Sequence, residues 1–360
     1  MRIGLAYNQR PELIGESPHT RPRHPAGPTT TDAYVEWDDP ATIAAVEHAL
    51  RIFGEVIRLE AVDDFASRLR AARVDLLFNM AEGRTGPNRE AHVPAIAEFL
   101  GVPYTASDPL TLSLTLHKAR TKEILAFRRI PTAPFVVVAS DADVDALDRL
   151  PYPVFVKPVW EGSSKGVSVA NLADTPSAAR SRARELLATY GEPVLAETFL
   201  PGDEFTVAIL GNGPDAYCLP LIRYRFDVLP PGVPPVMGYE AKWLWDADER
   251  LANILECPAS VTGAVARRIE ETALAAYHAL GCRDWARVDV RLDAAGEPNV
   301  LELNPLPGII PDPAQHSCFP TAAAAAGMPH AELIQTVARI AWKRLTGQEL
   351  AVTTLAGAAA

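Results

Sequence analysis

Two alternating segments near the C-terminal end constrain the fold more than any other feature of the chain. Residues 287–293 (RVDVRLD) and 298–304 (PNVLELN) each alternate polar and apolar residues, which is the pattern of a half-buried β-strand. The four residues 294–297 (AAGE) between them fit a tight turn, so the two segments are predicted to form a hairpin. Counting back from the turn predicts three cross-strand pairs: Asp293 with Pro298, Asp289 with Glu302, and Arg287 with Asn304.

This register places two carboxylates opposite each other, because Asp289 and Glu302 face the same side of the hairpin. Like charges directly opposite each other destabilise a strand pair, and a divalent cation between them removes the repulsion. Asn304 adds a neutral oxygen, and an all-oxygen set of this kind suits Mg²⁺. The alternative is a solvated hairpin with scattered charges, but Leu301 and Leu303 indicate that the other face is packed.

Composition limits the class of protein. A chain of 360 residues with 48% hydrophobic and 22% charged residues is globular, with two or three domains expected. The net charge of -11 argues against nucleic acid as a partner, although not against a nucleotide. No apolar run approaches the ~20 residues of a membrane span, and the N-terminus does not resemble a signal peptide. Four cysteines without paired spacing favour buried free thiols, so we expect a cytoplasmic protein without a membrane partner.

The remaining segments predict alternating strands and helices. In the first third, strands near 3–7, 55–59 and 74–79 and helices at 39–50 and 89–100 indicate a βαβ-type domain with a parallel sheet. Asp38 or Asp39 is the expected N-cap of the first of these helices. Residues 8–34 are predicted as a long loop. Later helices are predicted at 117–127, 177–190, 259–280 and 330–346, and later strands at 131–138, 153–158, 167–170, 194–199 and 204–211.

A glycine-serine turn, Gly162 to Gly166 (GSSKG), separates two of the predicted strands. Glycine allows close approach, so the backbone N–H groups and hydroxyls of such a hairpin can contact phosphates, and Lys157 can reach the same phosphates. An ordinary hairpin is the alternative. Lysine is also scarce, with six lysines against 28 arginines (34 minus 6). We expect four of the six lysines in a nucleotide site.

The segment 194–200 (VLAETFL) is an apolar strand that runs into an exposed linker. Backbone groups at such a position can bind the edge of adenine, with Glu197 holding the amino group of the base. Glu204, just past the Pro-Gly turn that follows, can bind ribose hydroxyls. The alternative is a strand that links two domains and carries surface acids.

Taken together, these segments resemble the D-alanine–D-alanine ligases of the ATP-grasp superfamily. The similar motifs occur in the same order from about residue 75 to 345: Val156-Lys-Pro158 with Glu161-Gly-Ser-Ser164, Glu204 to Gly211, Tyr239-Glu-Ala-Lys-Trp243, Arg287-Val-Asp-Val290, and Leu301-Glu-Leu-Asn304 with Pro307-Gly308. Each motif alone is unspecific, but their joint order is highly specific.

The resemblance implies an α/β fold of the ATP-grasp type. It implies an N-terminal βαβ-type domain on the substrate side over residues 1–110, a central subdomain over 111–202, a C-terminal subdomain over 203–346, and a tail over 347–360. ATP would lie between the last two subdomains with Mg²⁺, or Mn²⁺ in its place. The family also implies a homodimer.

The resemblance further implies a role for individual residues. The residues implied to contact the nucleotide are Lys118, Lys157, Lys242, Ser163, Ser164, Glu197, Leu200, Glu204 and Leu301. The metal ligands are Asp289, Glu302 and Asn304. The catalytic residues are Arg287 and the Gly308 N–H, which would hold an oxyanion, together with Ser163 and Lys242. On the substrate side lie Ser317, which would meet the carboxylate of the second substrate, and Glu82 and Trp243.

Several departures from the family cluster on the first-substrate side. The family glutamate that holds the first ammonium has no clear counterpart, and Glu12, Glu16 and Glu36 are the candidates. Trp243 replaces a lid tyrosine, and Ala81-Glu82 replaces the family's histidine at its His-Gly pair. We therefore expect ATP-dependent joining of two amino acids through an acylphosphate, with D-alanine or with other amino acids or short peptides. A non-catalytic ATP-binding module and a small-molecule kinase are the alternatives.

Overall fold

The computed structural model of the chain describes residues 1–11, 34–230, 232–237, 254–312, 315 and 317–352. Most of the predicted loop at 8–34, the tail beyond residue 352, and the predicted site residues Lys242 and Trp243 lie outside the described residues, as do Glu12 and Glu16. The described residues form three β-sheets with helices packed against them.

The first sheet consists of β1 (Arg2–Tyr7), β2 (Glu55–Glu60) and β3 (Leu76–Asn79) in the order β2-β1-β3. All its strand pairs are parallel, as predicted. Helix α1 (Pro40–Leu50) connects β1 to β2, and the Asp39 side chain caps it by accepting a hydrogen bond from the Thr42 N–H at 2.7 Å. The cap is therefore Asp39, which resolves the choice between Asp38 and Asp39.

Helices complete the first part of the chain and lead to the second sheet. They are α2 (Phe65–Ala72), α3 (His92–Leu100), α4 (Pro109–Leu116) and α5 (Lys118–Phe127). Helix α3 begins three residues later than predicted, because residues 89–91 form a 3-10 turn. Helices α2 and α4 had no prediction.

The second sheet is antiparallel and has the order β4-β7-β5-β6. Its strands are β4 (Phe135–Val138), β5 (Val154–Pro158), β6 (Leu172–Ala173) and β7 (Val194–Thr198), and helix α6 (Pro176–Tyr190) packs against them. The strand predicted at 167–170 is wrong. Residues 169–171 form a 3-10 turn, because the Asn171 carboxamide accepts hydrogen bonds from the backbone and hydroxyl of Ser168.

The third sheet has the order β11-β10-β8-β12-β13, with β9 paired to β8. Its strands are β8 (Glu204–Leu210), β9 (Tyr217–Cys218), β10 (Ile222–Tyr224), β11 (Leu255–Glu256), β12 (Trp285–Leu292) and β13 (Pro298–Asn304). Helices α7 (Gly263–Ala279), α8 (Cys318–Ala325) and α9 (His330–Thr346) follow in the chain. Helix α7 starts four residues later than predicted, after its N-cap Thr262.

The hairpin of β12 and β13 has the predicted register at the functional end and a different register at the turn. Arg287 pairs with Asn304, and Asp289 pairs with Glu302, as predicted. Leu292 and not Asp293 pairs with Pro298, so that prediction is wrong and the connecting loop is one residue longer. A β-bulge at Leu301 compensates for the extra loop residue and keeps the two acids opposite each other.

A shared core joins the first and third sheets. Trp285 on β12 is fully buried and contacts the rings of Phe78 from β3 and Phe319 from α8, at centroid distances of 5.8 and 5.7 Å. All four cysteines are free, two of them buried and two half-buried. In the described part of the chain, no helix has the length and apolar character to cross a membrane.

Candidate active site

A cavity between the second and third sheets collects the residues predicted to bind a nucleotide. Those of them that the structure describes all line it: Lys118, Lys157, Ser163, Ser164, Glu197, Leu200, Glu204 and Leu301. Two of the predicted metal ligands, Asp289 and Glu302, lie in the same wall. Segments far apart in the sequence therefore converge on one site.

Glu197 on β7 forms ion pairs with two lysines in this cavity. Its carboxylate lies 2.6 Å from the Nζ of Lys122 and 2.6 Å from the Nζ of Lys157. Burial alone raises the pKa of Glu197, but the two lysines outweigh burial and lower that pKa to about 2. Glu197 is therefore ionised and fixed in place at neutral pH. Lys122 had no predicted site role, although the scarcity of lysine pointed to it.

The glycine-serine turn is a compact loop and not a hairpin between two strands. Ser163 and Ser164 adopt left-handed backbone conformations, with φ of 48° and 62°. The carboxamide of Asn171 donates to the carbonyls of Val156 at 2.5 Å and of Gly166 at 2.7 Å, which ties the loop to β5. A buried side chain thus holds the loop in a conformation that serine rarely adopts.

Charged residues connect this loop to the N-terminal part of the chain. Glu36 accepts hydrogen bonds from Arg89 at 2.7 Å and from the Gly162 N–H at 3.0 Å. Lys165 lies 2.5 Å from the carboxylate of Glu161 and 3.6 Å from that of Glu36. Arg89 and Lys165 were not predicted site residues. Of the six lysines, Lys118, Lys122, Lys157 and Lys165 contact acids at this site.

The facing acids Asp289 and Glu302 share an internal cation. The Arg287 guanidinium lies 3.0 Å from Asp289 and 3.8 Å from Glu302, and Lys118 lies 3.5 Å from Glu302. Burial raises the pKa of Glu302, but Lys118, Lys157 and Arg287 outweigh burial and lower that pKa to about 2. The repulsion anticipated between the acids is therefore offset by the protein itself.

The donor set at this point suits a hard divalent cation. Asp289 and Glu302 supply carboxylate oxygens, and the Asn304 carboxamide lies 3.4 Å from Asp289. Within the described ranges, no cluster of three or more His, Cys, Asp or Glu side chains is arranged to hold a metal. Two carboxylates and an amide leave positions for phosphate oxygens and water, which is how Mg²⁺ is usually bound.

A second cavity opens from the first and holds the predicted substrate and catalytic residues. Its walls include Glu82, Arg287, Asn304, Gly308 and Ser317, and it shares the loop serines and the two acids with the nucleotide cavity. The Ser317 hydroxyl donates to the Gly308 carbonyl at 3.0 Å. Among the described residues, no backbone carbonyl accepts a hydrogen bond from the Gly308 N–H.

The far end of the second cavity is acidic. Glu82, Glu90 and Asp38 line it. Burial, reinforced by the neighbouring acids Glu90 and Glu36, holds the pKa of Glu82 well above its usual range. Burial also raises the pKa of Glu90 to about 7, although Arg89 opposes it. Carboxylates with raised pKa values ionise readily only when a positive charge joins them.

Known proteins resemble the chain over most of its length. The family model described as D-ala D-ala ligase C-terminus matches residues 124–339. A D-alanine–D-alanine ligase of Bordetella petrii is 36% identical over 75% of this chain and 77% of its own length. The uncharacterized protein y4sG of Sinorhizobium fredii is 34% identical over 76% of both chains.

A solved structure matches the fold. The crystal structure of a D-alanine–D-alanine ligase from Bacillus anthracis complexed with ATP superposes with a TM-score of 0.69, covering 96% of this chain and 98% of the other at 22% identity. A second structure of that ligase gives a TM-score of 0.71. These likenesses confirm the predicted fold class.

Proposed function

This chain belongs to the D-alanine–D-alanine ligase family, and from that premise we propose that it joins two amino acids, or an amino acid and a short peptide, at the expense of ATP. One observation carries the proposal. The lysine-rich cavity opens, at Asp289 and Glu302, directly into the cavity that holds Arg287 and Gly308. A nucleotide phosphate in the first cavity would therefore lie beside a substrate in the second.

The first step activates a carboxylate, which is a poor electrophile at neutral pH. One carboxylate oxygen of the first substrate attacks the γ-phosphorus of ATP, the bond to the β-phosphate oxygen breaks, and ADP leaves. The product is an acylphosphate. Lys118 and Lys157 line the cavity and offset the phosphate charge, and catalysis of this kind depends mostly on positioning and charge neutralisation.

Asp289, Glu302 and Asn304 would hold Mg²⁺, which neutralises phosphate charge and orients the transferring group when bound. The all-oxygen donor set is what supports this assignment. Arg287 lies against both acids in the structure. With Mg²⁺ to balance the charge of the two acids, the Arg287 guanidinium would be able to donate to the substrate.

The second step forms the amide. The amine of the second substrate attacks the acyl carbon, a C–N bond forms, and phosphate leaves as the C–O bond breaks. The attacking nitrogen gives up a proton to the departing phosphate, and the negative charge on the tetrahedral oxygen is met by Arg287 and the Gly308 N–H. Loss of one such donor typically costs ~2.7–4 kcal/mol of barrier. Ser317, beside Gly308 in the cavity wall, would hold the carboxylate of the second substrate.

The acidic end of the second cavity favours substrates other than D-alanine alone. Glu82 and Glu90 both line that end, and Arg89, the cation that most lowers the pKa of each, is already paired with Glu36. A first substrate that brings a positive charge to this end would relieve the repulsion. Amino acids and peptides with an additional amine are therefore the second candidate class.

The experiment that tests the function is an ADP-release assay over D- and L-amino acids, diamino acids and dipeptides, with mass spectrometry of the products. We expect ADP and an amide only when a matching carboxylate and amine are both present. D-alanine alone giving no ADP would eliminate a peptidoglycan role. A stable phosphorylated product without an amide would identify a kinase, and nucleotide binding without turnover would identify a non-catalytic module.

Two further parts of the proposal concern the state of the protein in the cell. We propose a cytoplasmic location and a homodimer, both supported by membership of the family. Size-exclusion chromatography with light scattering tests the dimer, and fractionation of the source cells tests the location.

A further inference from the structure

Arg291 on β12 is a buried arginine with three separate acceptors. Its side chain is 3% exposed. Its Nε donates to the Leu200 carbonyl at 2.7 Å, and its Nη1 donates to the Glu204 carboxylate at 2.8 Å and to the Pro235 carbonyl at 2.8 Å. The alternation of β12 places Arg291 on the same face as Arg287 and Asp289, but Arg291 was not among the predicted site residues.

Two aromatic rings cover the guanidinium. Its central carbon lies 4.4 Å from the centroid of the Phe199 ring and 5.4 Å from that of Phe226. Rings above a cation attract it and exclude water from it. A fixed, desolvated fork of donors orients its acceptors more strictly than a flexible ammonium does.

The acceptors of Arg291 belong to three different parts of the nucleotide cavity. Leu200 lies two residues beyond β7, the strand proposed to bind the base, and Glu204 begins β8 at the proposed ribose position. Pro235 lies in the loop whose Met237 carbonyl accepts from the Ser164 hydroxyl at 3.1 Å. Arg291 is itself part of the cavity wall, and its hydrogen bonds join the base, ribose and phosphate-loop sides of the cavity.

The charge of Glu204 depends on Arg291. Burial raises the pKa of Glu204 to about 7, while Arg291 and Lys157 lower it and Asp289 raises it. An ionised carboxylate accepts hydrogen bonds from two ribose hydroxyls, whereas a protonated one loses part of its accepting capacity. Removing the adjacent cation therefore leaves Glu204 protonated near neutral pH.

We propose that Arg291 is a positioning residue for the nucleotide, which keeps Glu204 in place as the acceptor for ribose hydroxyls and ties Leu200 and Pro235 to the same strand. This inference rests on the proposed nucleotide site. It extends that site to a residue that acts through Glu204.

The test compares ADP binding by isothermal titration calorimetry, between pH 6.5 and pH 9, for the unchanged protein and its variants. Arg291→Met removes the charge and the donors, and Arg291→Lys restores the charge. Arg223→Met is the matched control, because Arg223 also pairs with acids in the third sheet but does not line the nucleotide cavity. Urea unfolding verifies that each variant folds.

We expect Arg291→Met to weaken ADP binding about tenfold at pH 7.5, the factor that one pKa unit represents. The loss should shrink toward pH 9, where Glu204 ionises without help, and Arg291→Lys should recover part of the affinity. Arg223→Met should stay within about twofold, because Arg223 does not line the nucleotide cavity. In a Glu204→Gln background, Arg291→Met should no longer change the pH dependence.

A loss of affinity that is equal at every pH would overturn the inference, as would a loss of the same size in Arg223→Met. Unchanged protein that binds no ADP would overturn the inference together with the proposed nucleotide site. ADP binding with the expected pH pattern, but without turnover on any amino acid, would support the inference and reject only the proposed ligase activity.

Discussion

At the scale of single residues, Glu302 is where the charges of both cavities meet. It lies within 3.5 Å of Lys118 and 3.8 Å of Arg287, and it faces Asp289 across the hairpin. Glu302 therefore lies near a lysine proposed to bind phosphate, near the arginine proposed to meet the oxyanion, and opposite the second carboxylate of the proposed metal site. Its replacement therefore separates a catalytic role from a structural one.

We expect Glu302→Gln to lower kcat at least about 100-fold, because losing one positioned charge from such a site costs ~2.7–4 kcal/mol of barrier. ADP release measured over a range of Mg²⁺ concentrations tests this. Glu297→Gln, in the exposed turn of the same hairpin, is the control and should leave kcat unchanged. Near-normal turnover of Glu302→Gln at saturating Mg²⁺ would refute the metal-binding role.

At the scale of elements, the phosphate loop depends on Asn171. This side chain is fully buried and, besides its two donated hydrogen bonds, accepts one from Arg182 at 2.7 Å. Its hydrogen bonds with Ser168 form the 3-10 turn at 169–171, where alternation alone had predicted a strand. The left-handed serines of the loop persist because Asn171 holds both ends of the segment.

Asn171→Ala should destabilise the protein by about 1–3 kcal/mol, the usual cost of leaving buried acceptors unpaired. It should also raise the KM for ATP, since the loop serines lose their support. Urea unfolding and ADP-release kinetics measure the two effects. Asn88→Ala, at an exposed position that makes no cap hydrogen bond, should change neither quantity, and equal stability of the two variants would contradict the role of Asn171.

Local pattern predicted the elements well where the alternation or capping was complete. The pairing of Asp289 with Glu302 followed from alternation, and α9 was predicted at its observed bounds. The bulge at Leu301 was not predicted, although the adjacent apolar residues Val300 and Leu301 interrupt the alternation of the strand at that point. The 3-10 turn at 169–171 was missed, since its cause is the pair of hydrogen bonds from Ser168 to the Asn171 carboxamide, which polar and apolar alternation does not report.

At the scale of the whole molecule, one buried acid joins distant parts of the chain. Asp284, fully buried, accepts hydrogen bonds from Arg344 on α9, from the Ala106 N–H and from the carboxamide of Asn212. These residues belong to stretches of sequence that were predicted as two different subdomains. Sequence patterns do not report such contacts, and the predicted domain boundaries stay predictions.

Asp284→Asn should destabilise the protein by about 3–5 kcal/mol, because it leaves Arg344 without its buried partner. Asparagine tolerates the left-handed backbone of this position, where φ is 66°. The loss of stability therefore measures the removal of the carboxylate charge and not backbone strain. Chemical denaturation measures it. The exposed Asp174→Asn is the control, and equal midpoints for the two variants would contradict the prediction.

The stability of the protein should also depend on pH through Glu192. Burial, helped by Glu161, raises the pKa of Glu192 from 4.5 to about 8, despite a hydrogen bond from the Trp160 N–H. Between these values the folded state keeps a proton that the unfolded state has lost. Stability therefore falls as pH rises through this window, by up to ~1.4 kcal/mol per pH unit for one such group.

Glu192→Gln should remove this dependence, since glutamine accepts the same hydrogen bond without ionising. We expect the variant to match the unchanged protein at pH 5 and to unfold at a higher urea concentration at pH 8.5. The exposed Glu185→Gln serves as the control and should match the unchanged protein at both values. An identical pH profile for Glu192→Gln and the unchanged protein would exclude Glu192 as the source.

The guanidinium held between the two facing acids has a practical consequence for handling this protein. Because Arg287 already supplies a counter-charge, stripping divalent ions with EDTA should leave the melting temperature within about 2 °C, the low end of the shift that a 1 kcal/mol change produces in a domain of about 150–250 residues. Turnover should nevertheless stop and return when magnesium is added back. Folding and metal loading would then be independent, so the protein can be purified in chelator and charged afterwards with whichever ion an experiment requires.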